Sequence, residues 1–449
     1  MALWVPVFLA AQTPAQTAPA PDEPVSVFTE HPRLLLRPAR LRLLRRERER
    51  NSPRWQQFAS YVSNDAPMPE APFAQALYSQ IAQNREAGRK AVAWAMSASA
   101  TDLRQLALVF DWCHDLLTDS ERRTLAARIA QRMNQTADDT IASQRARAFA
   151  AIALFDEVPQ TPNRALDQLV RTWWAGKIAP ALNAGRSVMP RDDAYPLWEL
   201  LHAIRDNTNL DLREAARKFF KEYPIEHLIS HYPAPLQAED NDYRIGASTN
   251  SGEPDLASAA FSRVAELSMV AYDNNAEESQ YLQGWLMHDN FALRSPFGAP
   301  YEFLWANPYQ PGLNFANVPL VFHDAVFGRV FVRSSWDDEA EWFGCFDGIA
   351  QVFRDGRRLT VDLKKPAAPL VFESAVIAWG PSSANLRVML EDGQNAVILA
   401  GLTPSRVYQV EIDDEEVFEE VSDPAGILVL DVPHSKQTGV RVRERSNLQ

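Results

Sequence analysis

Between His231 and Glu253 the chain gathers side chains that can move protons and hold charge. His231-Tyr232 leads into Asp240-Asn241-Asp242-Tyr243-Arg244, and Asn250-Ser251-Gly252-Glu253 opens a long helical pattern. A Tyr or His held beside a reacting group takes or returns a proton. An Asn amide or an Arg guanidinium neutralises a carboxylate and so stabilises charge that develops next to it. Tyr243 and His231 are therefore candidates for proton transfer. Asn250 and Arg244 are candidates for carboxylate neutralisation, with Glu253 as a polar partner for a substrate. The same residue types also suit a plain loop whose Asn and Glu cap the next helix.

Two further stretches offer similar material. Arg294-Ser295-Pro296-Phe297-Gly298-Ala299-Pro300-Tyr301-Glu302-Phe303-Leu304-Trp305-Ala306-Asn307-Pro308-Tyr309 is rich in rings that stack on sugar faces. Tyr301 is a possible acid there, and Glu302, Trp305, Asn307 and Tyr309 are possible substrate partners. So many Phe and Pro serve an interdomain packing loop equally well. Arg191-Asp192-Asp193-Ala194-Tyr195 precedes Trp198, another possible substrate contact, and His202, which reads as a core histidine. Glu199, Asp240, Asp242, Glu253 and Glu302 could supply the carboxylate pair of a glycoside hydrolase. No Gly-rich phosphate loop and no nucleophile elbow occurs, so nucleotide hydrolysis and serine-esterase chemistry lack support.

The elements that must position these residues change character along the chain. From about Pro38 to Asn290 the apolar spacing is helical. Leu103, Leu106, Leu108, Val109 and Trp112 mark a strongly apolar helix, and Thr118-Asp119-Ser120-Glu121 reads as a capping box that opens the next. Further antiparallel pairs follow: 145–155 with 165–182, then 195–204 with 212–220, which Pro224 is expected to end. Pro254–Tyr272 is a long helix, followed by 276–287. Repeated hairpins with short turns predict an α/α toroid. Residues 290–320 read as loop. Beyond them short β-branched runs, among them Trp342–Phe346, Leu370–Trp379, Ala396–Leu399 and Val407–Ile412, predict an antiparallel β-sandwich. The acidic run 411–420 reads as a solvated strand edge.

Bulk numbers agree with a folded multidomain protein. The chain has 449 residues, 46% of them hydrophobic and 10% aromatic, so it can bury a sizeable core. A net charge of −13 disfavours nucleic acid as a general partner. Cys113 and Cys345, far apart in sequence, read as two buried thiols unless an oxidising compartment bridges them. The start, Met-Ala-Leu-Trp-Val-Pro-Val-Phe-Leu-Ala-Ala, is like the apolar half of a signal peptide with no basic residue before it, and it implies a periplasmic or secreted protein. No later segment is long and apolar enough for a membrane span.

Three segments resemble the heparinase II/III-like proteins. They are His31-Pro32-Arg33-Leu34-Leu35 with the Arg-rich helix and Pro53-Arg54-Trp55 behind it, Asp111-Trp112 ahead of Leu116-Leu117-Thr118-Asp119-Ser120-Glu121, and Gly328-Arg329-Val330-Phe331-Val332-Arg333-Ser334-Ser335-Trp336. The resemblance spans most of the chain. It implies a toroid followed by a β-sandwich, and cleavage of a uronate polysaccharide by β-elimination, with Asn, Tyr and His of the toroid as carboxylate partner, base and acid. It also implies a Gly/His-rich segment soon after the Arg-Ser-x-Trp stretch. Here the chain reads Asp347-Gly348-Ile349-Ala350-Gln351-Val352-Phe353-Arg354-Asp355-Gly356 instead, and the later histidine is His434. With no His pair in the sandwich, no metal and no other cofactor is expected, and the chemistry moves to the toroid loops.

The expectation is thus an α+β multidomain protein with a signal-like segment and linker over 1–27, a toroid over 28–317 and a β-sandwich over 318–449. It acts on an acidic polysaccharide or oligosaccharide as a metal-independent lyase. The alternatives are a non-catalytic carbohydrate-binding or scaffold protein on the same fold, or a toroid hydrolase.

Overall fold

Helices dominate up to Trp305, and strands follow from Val321. The computed structural model of the chain describes residues 23–444, apart from 137, 159, 187, 251, 292, 366, 381–384 and 433–436. The signal-like start, Ser251 and His434 lie outside the described residues.

Helix starts follow from local chemistry. Ser52, Asn84, Asp102, Thr118, Thr140 and Asp255 each accept a backbone amide from the first turn of the helix they precede. Each bond satisfies one of the donors that a helix leaves orphaned at its start. Thr118 and Glu121 form the expected reciprocal pair.

The apolar helix Leu103–Trp112 is buried along its whole length. It packs between Ala71–Ala82 and Ile141–Ala153. Ile141–Ala153 in turn packs on Ala194–Thr208, that helix on Leu256–Tyr272, and that on Gly298–Trp305. Gly298–Trp305 touches Pro53–Ser63, which returns to Ala71–Ala82. A second set backs these helices: Arg85–Met96 on Ala71–Ala82, Asp119–Gln135 on Leu103–Trp112, and Glu277–His288 on Leu256–Tyr272. One apolar core joins them.

Two local expectations are corrected. Pro224 lies inside the helix Arg217–Ile229 rather than ending it. Burial of Phe219, Phe220, Tyr223 and Leu228 holds the helix on across the missing donor. The stretch read as loop after residue 290 contains the buried helix Gly298–Trp305. Its Pro300 sits in the first turn, where an amide has no intrahelical partner to lose.

The strands form three stacked layers rather than the two of the expected sandwich. The first sheet is an antiparallel meander of Val321–Asp324, Arg329–Arg333, Trp342–Phe346, Ile349–Arg354 and Arg357–Val361. Strand periodicity divides its side chains. Trp342 and Phe346 pack with Ile229 and Tyr232 of the helical part, while Phe343 and Cys345 pack on the middle sheet. The middle sheet runs Leu428–Asp431, Ala396–Ala400, Ala375–Trp379 and Leu370–Val371, and its central pair is parallel. Ala375–Trp379 and Ala396–Ala400 are apolar and buried at every position because a sheet covers each face. The outer sheet comprises Asn385–Leu390, Thr438–Glu444, Val407–Ile412 and Glu416–Val421, and the acidic strand Glu416–Val421 lies at its edge.

The segments that carried the resemblance are joints of this architecture. Asp111 accepts the amides of Arg33 and Leu34 at 2.9 and 2.8 Å, and the Trp112 indole donates to the Leu34 carbonyl at 2.8 Å. In the first sheet Arg333 donates to the His231 carbonyl at 3.1 Å, and the Trp342 indole to the Ile229 carbonyl at 2.9 Å. These bonds seat the sheet on the end of helix Arg217–Ile229. Cys113 and Cys345 are both buried and free. Among the described residues no helix is long and apolar enough to cross a membrane.

Candidate functional site

A polar cleft of about 370 Å³ lies where the helical part meets the first sheet. The helical part contributes Arg191, Asp192, Asn250, Glu253, Asp255, Ser258 and Ser262, and the sheet contributes Phe346, Asp347 and Arg358. A side arm of about 100 Å³ shares Arg191 with the cleft and adds Tyr223, Glu226, His227 and Ser230.

Local structure explains why these residues converge. After helix Arg217–Ile229 the chain turns back on itself, with Tyr232 donating to the Ile245 carbonyl at 2.9 Å and Ala247 to the Ser230 carbonyl at 2.8 Å. Gly246 lies against the Arg191 guanidinium so closely that a Cβ there would stand 2.2 Å from Arg191 Cζ. Glycine is thus required by a side chain, not by a turn. Asp255 caps helix Leu256–Tyr272 through the Ala257 amide and the Ser258 hydroxyl, at 2.9 and 3.0 Å. Ser258, Ser262 and Glu266 then follow at spacing four along one stripe of that helix.

Arg191 is the centre of the site. Its Nε donates to Ser262 Oγ at 3.2 Å, one Nη to Ser230 Oγ at 3.1 Å, and the other to the His227 carbonyl at 3.3 Å. The latter nitrogen also lies 2.9 and 3.1 Å from the two nitrogens of the His231 ring, so it stands over the ring face. Among the described residues Arg191 forms no ion pair with a carboxylate. Burial pulls its pKa below the usual guanidinium value, against the pull of Tyr223, Glu266 and Glu226. A partly desolvated cation with no carboxylate in direct contact is left with capacity for an anionic ligand.

Other groups of the cleft are already engaged. Arg329 pairs with Glu226 at 2.8 Å and with Asp347 at 2.8 Å. Arg358 donates to the Gly252 carbonyl at 3.1 Å and forms no ion pair among the described residues. Burial lowers the pKa of His227 to about 4, with Arg191 adding to the effect, while burial raises that of Tyr223.

The expected site residues are scattered. Asn250 and Glu253 line the cleft. His231 is 1% exposed and stands behind Arg191. Tyr243 donates to Asp240 at 2.8 Å and packs into the helical core, with burial and Asp240 raising its pKa to about 12. Arg244 is held by Asp289 at 2.9 Å and Asp338 at 2.6 Å. Tyr301, Trp198 and Trp305 are buried in the helical core, Tyr301 donating to Glu70. Glu302 is buried and accepts the Leu293 amide at 2.9 Å, and burial raises its pKa to about 7. Tyr309 donates to Glu47 at 2.5 Å beneath Arg50, and Asn307 accepts the Tyr309 amide at 3.2 Å. His231, Tyr243, Asn250 and Tyr301 therefore do not converge on one cleft. Glu199 is the bidentate partner of Arg104 at 2.6 and 2.8 Å and also binds Arg145 at 2.8 Å.

Sequence reasoning passed over Arg191 and Arg358 as site residues. Arg191 stood in a noted stretch, but pairing is a tertiary property and nothing local marks an arginine as unpaired. Arg358 comes from a sheet strand more than a hundred residues beyond Asn250.

Comparison with known proteins adds little. No family profile matches the chain, and no curated protein matches it. Among solved structures, a chain titled "Glycoside hydrolase" superposes with a TM-score of 0.34 and 9% identity, covering 87% of this chain and 75% of that one. A superposition this loose assigns neither family nor activity, so function rests on the cleft itself.

Proposed function

We propose that this chain is a carbohydrate-active protein that takes an acidic polysaccharide into the cleft and cleaves it by β-elimination. On this reading residues 28–317 form an α/α toroid, for which the returning series of helix contacts speaks, and 318–449 form the β-domain that closes the cleft. The observation that carries the proposal is the Arg191 guanidinium, which lines the cleft without a carboxylate partner among the described residues. A uronate carboxylate supplies the missing charge, and Asn250 adds an amide at the same wall. Neutralising that carboxylate acidifies the proton on the adjacent carbon. His227 and Tyr223, which line the side arm beside Arg191, are the groups placed to take that proton and return one to the departing oxygen. The catalytic roles first considered for His231, Tyr243, Arg244 and Tyr301 pass to these residues.

The test is incubation with a panel of uronate polysaccharides, following the ultraviolet absorbance of the unsaturated product and, in parallel, new reducing ends. Absorbance that rises in wild type and is lost in Arg191→Met supports the proposal. Reducing ends without absorbance would identify a hydrolase, for which Asp192 and Glu253 are two exposed carboxylates of the cleft. Binding without any product would identify a non-catalytic carbohydrate-binding protein.

A further inference from the structure

Among the described residues the sheets hold no histidine pair, but the helical part does. His227 lies in the last turn of helix Arg217–Ile229, and His231 follows four residues later. Both rings face Glu266 of helix Leu256–Tyr272. His227 Nε2 is 3.1 Å and His231 Nε2 3.4 Å from Glu266 Oε1, and the three ligand atoms lie within 4.8 Å of one another. Tetrahedral coordination at about 2.0–2.1 Å puts neighbouring ligand atoms about 3.3 Å apart. All three side chains are buried.

Hydrogen bonding shows what is missing. His231 Nδ1 is 2.8 Å from the His227 carbonyl, an oxygen that only accepts, so Nδ1 carries the proton. Nε2 of His231 then presents a lone pair toward Glu266 Oε1, and two acceptors face each other at 3.4 Å. A histidine whose second nitrogen is fixed by a backbone carbonyl is the usual outer-shell arrangement of a metal ligand. Glu266 Oε2 is also buried with no hydrogen-bond partner. A cation is called for between these groups. Arg191 meets that need from above the His231 ring, at 2.9 Å from Nε2. Arg263 lies 3.4 Å from Glu266 Oε2 without a formed hydrogen bond.

We propose that His227, His231 and Glu266 form a site for a divalent metal ion of the zinc class, and that Arg191 is its built-in competitor. Two imidazoles and one carboxylate favour Zn²⁺ or Co²⁺ over the hard cations Mg²⁺ and Ca²⁺, which prefer all-oxygen shells. Ser262 Oγ, 3.1 Å from His227 Nε2, or a water from the side arm completes the shell. Arg191 lines both cavities, so its guanidinium can turn into the cleft when the ion takes its place. The repulsion of two guanidiniums keeps the wild-type affinity modest. With an ion in place His227 is a ligand and proton transfer in the proposed reaction falls to Tyr223, but the metal site itself stands whether or not the cleft takes a sugar.

The experiment is calorimetric titration of the metal-stripped full chain with Zn²⁺, and with Co²⁺ followed by visible absorption. One ion per chain is expected, with a tetrahedral cobalt spectrum. Glu266→Gln weakens binding at least about 10-fold, and Arg191→Met strengthens it at least about 10-fold. The second variant guards against misfolding, because a damaged fold cannot produce a gain. No stoichiometric binding, binding indifferent to Glu266→Gln, or an Arg191→Met variant that binds no tighter than wild type overturns the proposal.

Discussion

Arg104, buried in the helical core, and Arg191, part-buried on the cleft wall, keep opposite company. Arg104 has two carboxylates, Glu199 at 2.6 Å and Glu70 at 3.1 Å, and Glu199 takes a further bond from Arg145. Arg191 has hydroxyls, a carbonyl and an imidazole, and among the described residues no carboxylate in contact. A buried charge inside a completed network has no capacity left for a ligand. A part-buried charge held only by neutral partners has its geometry settled and its electrostatics open. The first is a structural device, and the second is the group to which the proposed function gives the ligand.

The comparison breaks most visibly at Arg104. Replacing it with Met leaves Glu199 in the core with Arg145 as its one guanidinium partner among the described residues and lowers unfolding free energy by about 3 kcal/mol, measured by urea denaturation. Arg191→Met makes the opposite pattern. Stability stays within about 1 kcal/mol of wild type, while affinity for an acidic oligosaccharide falls about 100-fold, or about 2.7 kcal/mol, in a calorimetric titration. If Arg191→Met destabilises as much as Arg104→Met, the distinction between the two regions is wrong.

The carboxylates give the same contrast with the sign reversed. Glu199 is buried but has two guanidiniums that draw its pKa down, whereas Glu302 is buried with a single amide and sits at about 7. A raised carboxylate pKa means that the folded state holds its proton longer than the unfolded one. Stability is therefore lost as pH rises from about 4.5 through about 7. Glu302→Gln should stabilise the protein by about 2 kcal/mol at about pH 8 and by little at about pH 5, read as paired melting temperatures. The smallest effect belongs to Gly246→Ala. Its new methyl displaces the Arg191 guanidinium, so ligand affinity drops about 10-fold for a stability loss of about 1 kcal/mol.

Much of the helical part was legible. Thr118 and Glu121 close their capping box as their spacing requires, and the run from Leu103 to Trp112 is buried throughout. The β region was legible as strands but not as layers. The signal was present in Ala375–Trp379 and Ala396–Ala400, where every position is apolar instead of every second one, which marks strands covered on both faces. The site was half legible. Asn250 and Glu253 interrupt two helical patterns with polar residues, and they do line a cleft. Trp198, Tyr301 and Trp305 suggested sugar platforms, but large rings also fill space where helices converge, and that is where these three lie. Arg191 escaped notice because its distinction is a partner it lacks, and a missing partner leaves no mark in the sequence.

The stripe Ser258, Ser262, Glu266 sets a yardstick into the wall of the cleft. Eight residues of helix span about 12 Å, so the mouth and the floor of the site are separated by two helical turns. Ser258 and Ser262 line the cleft, and Glu266 lies behind its wall, 1% exposed. On the two proposals above, a sugar would therefore meet the serine end of the stripe and an ion the glutamate end, so a single rigid rod would fix the depth of each.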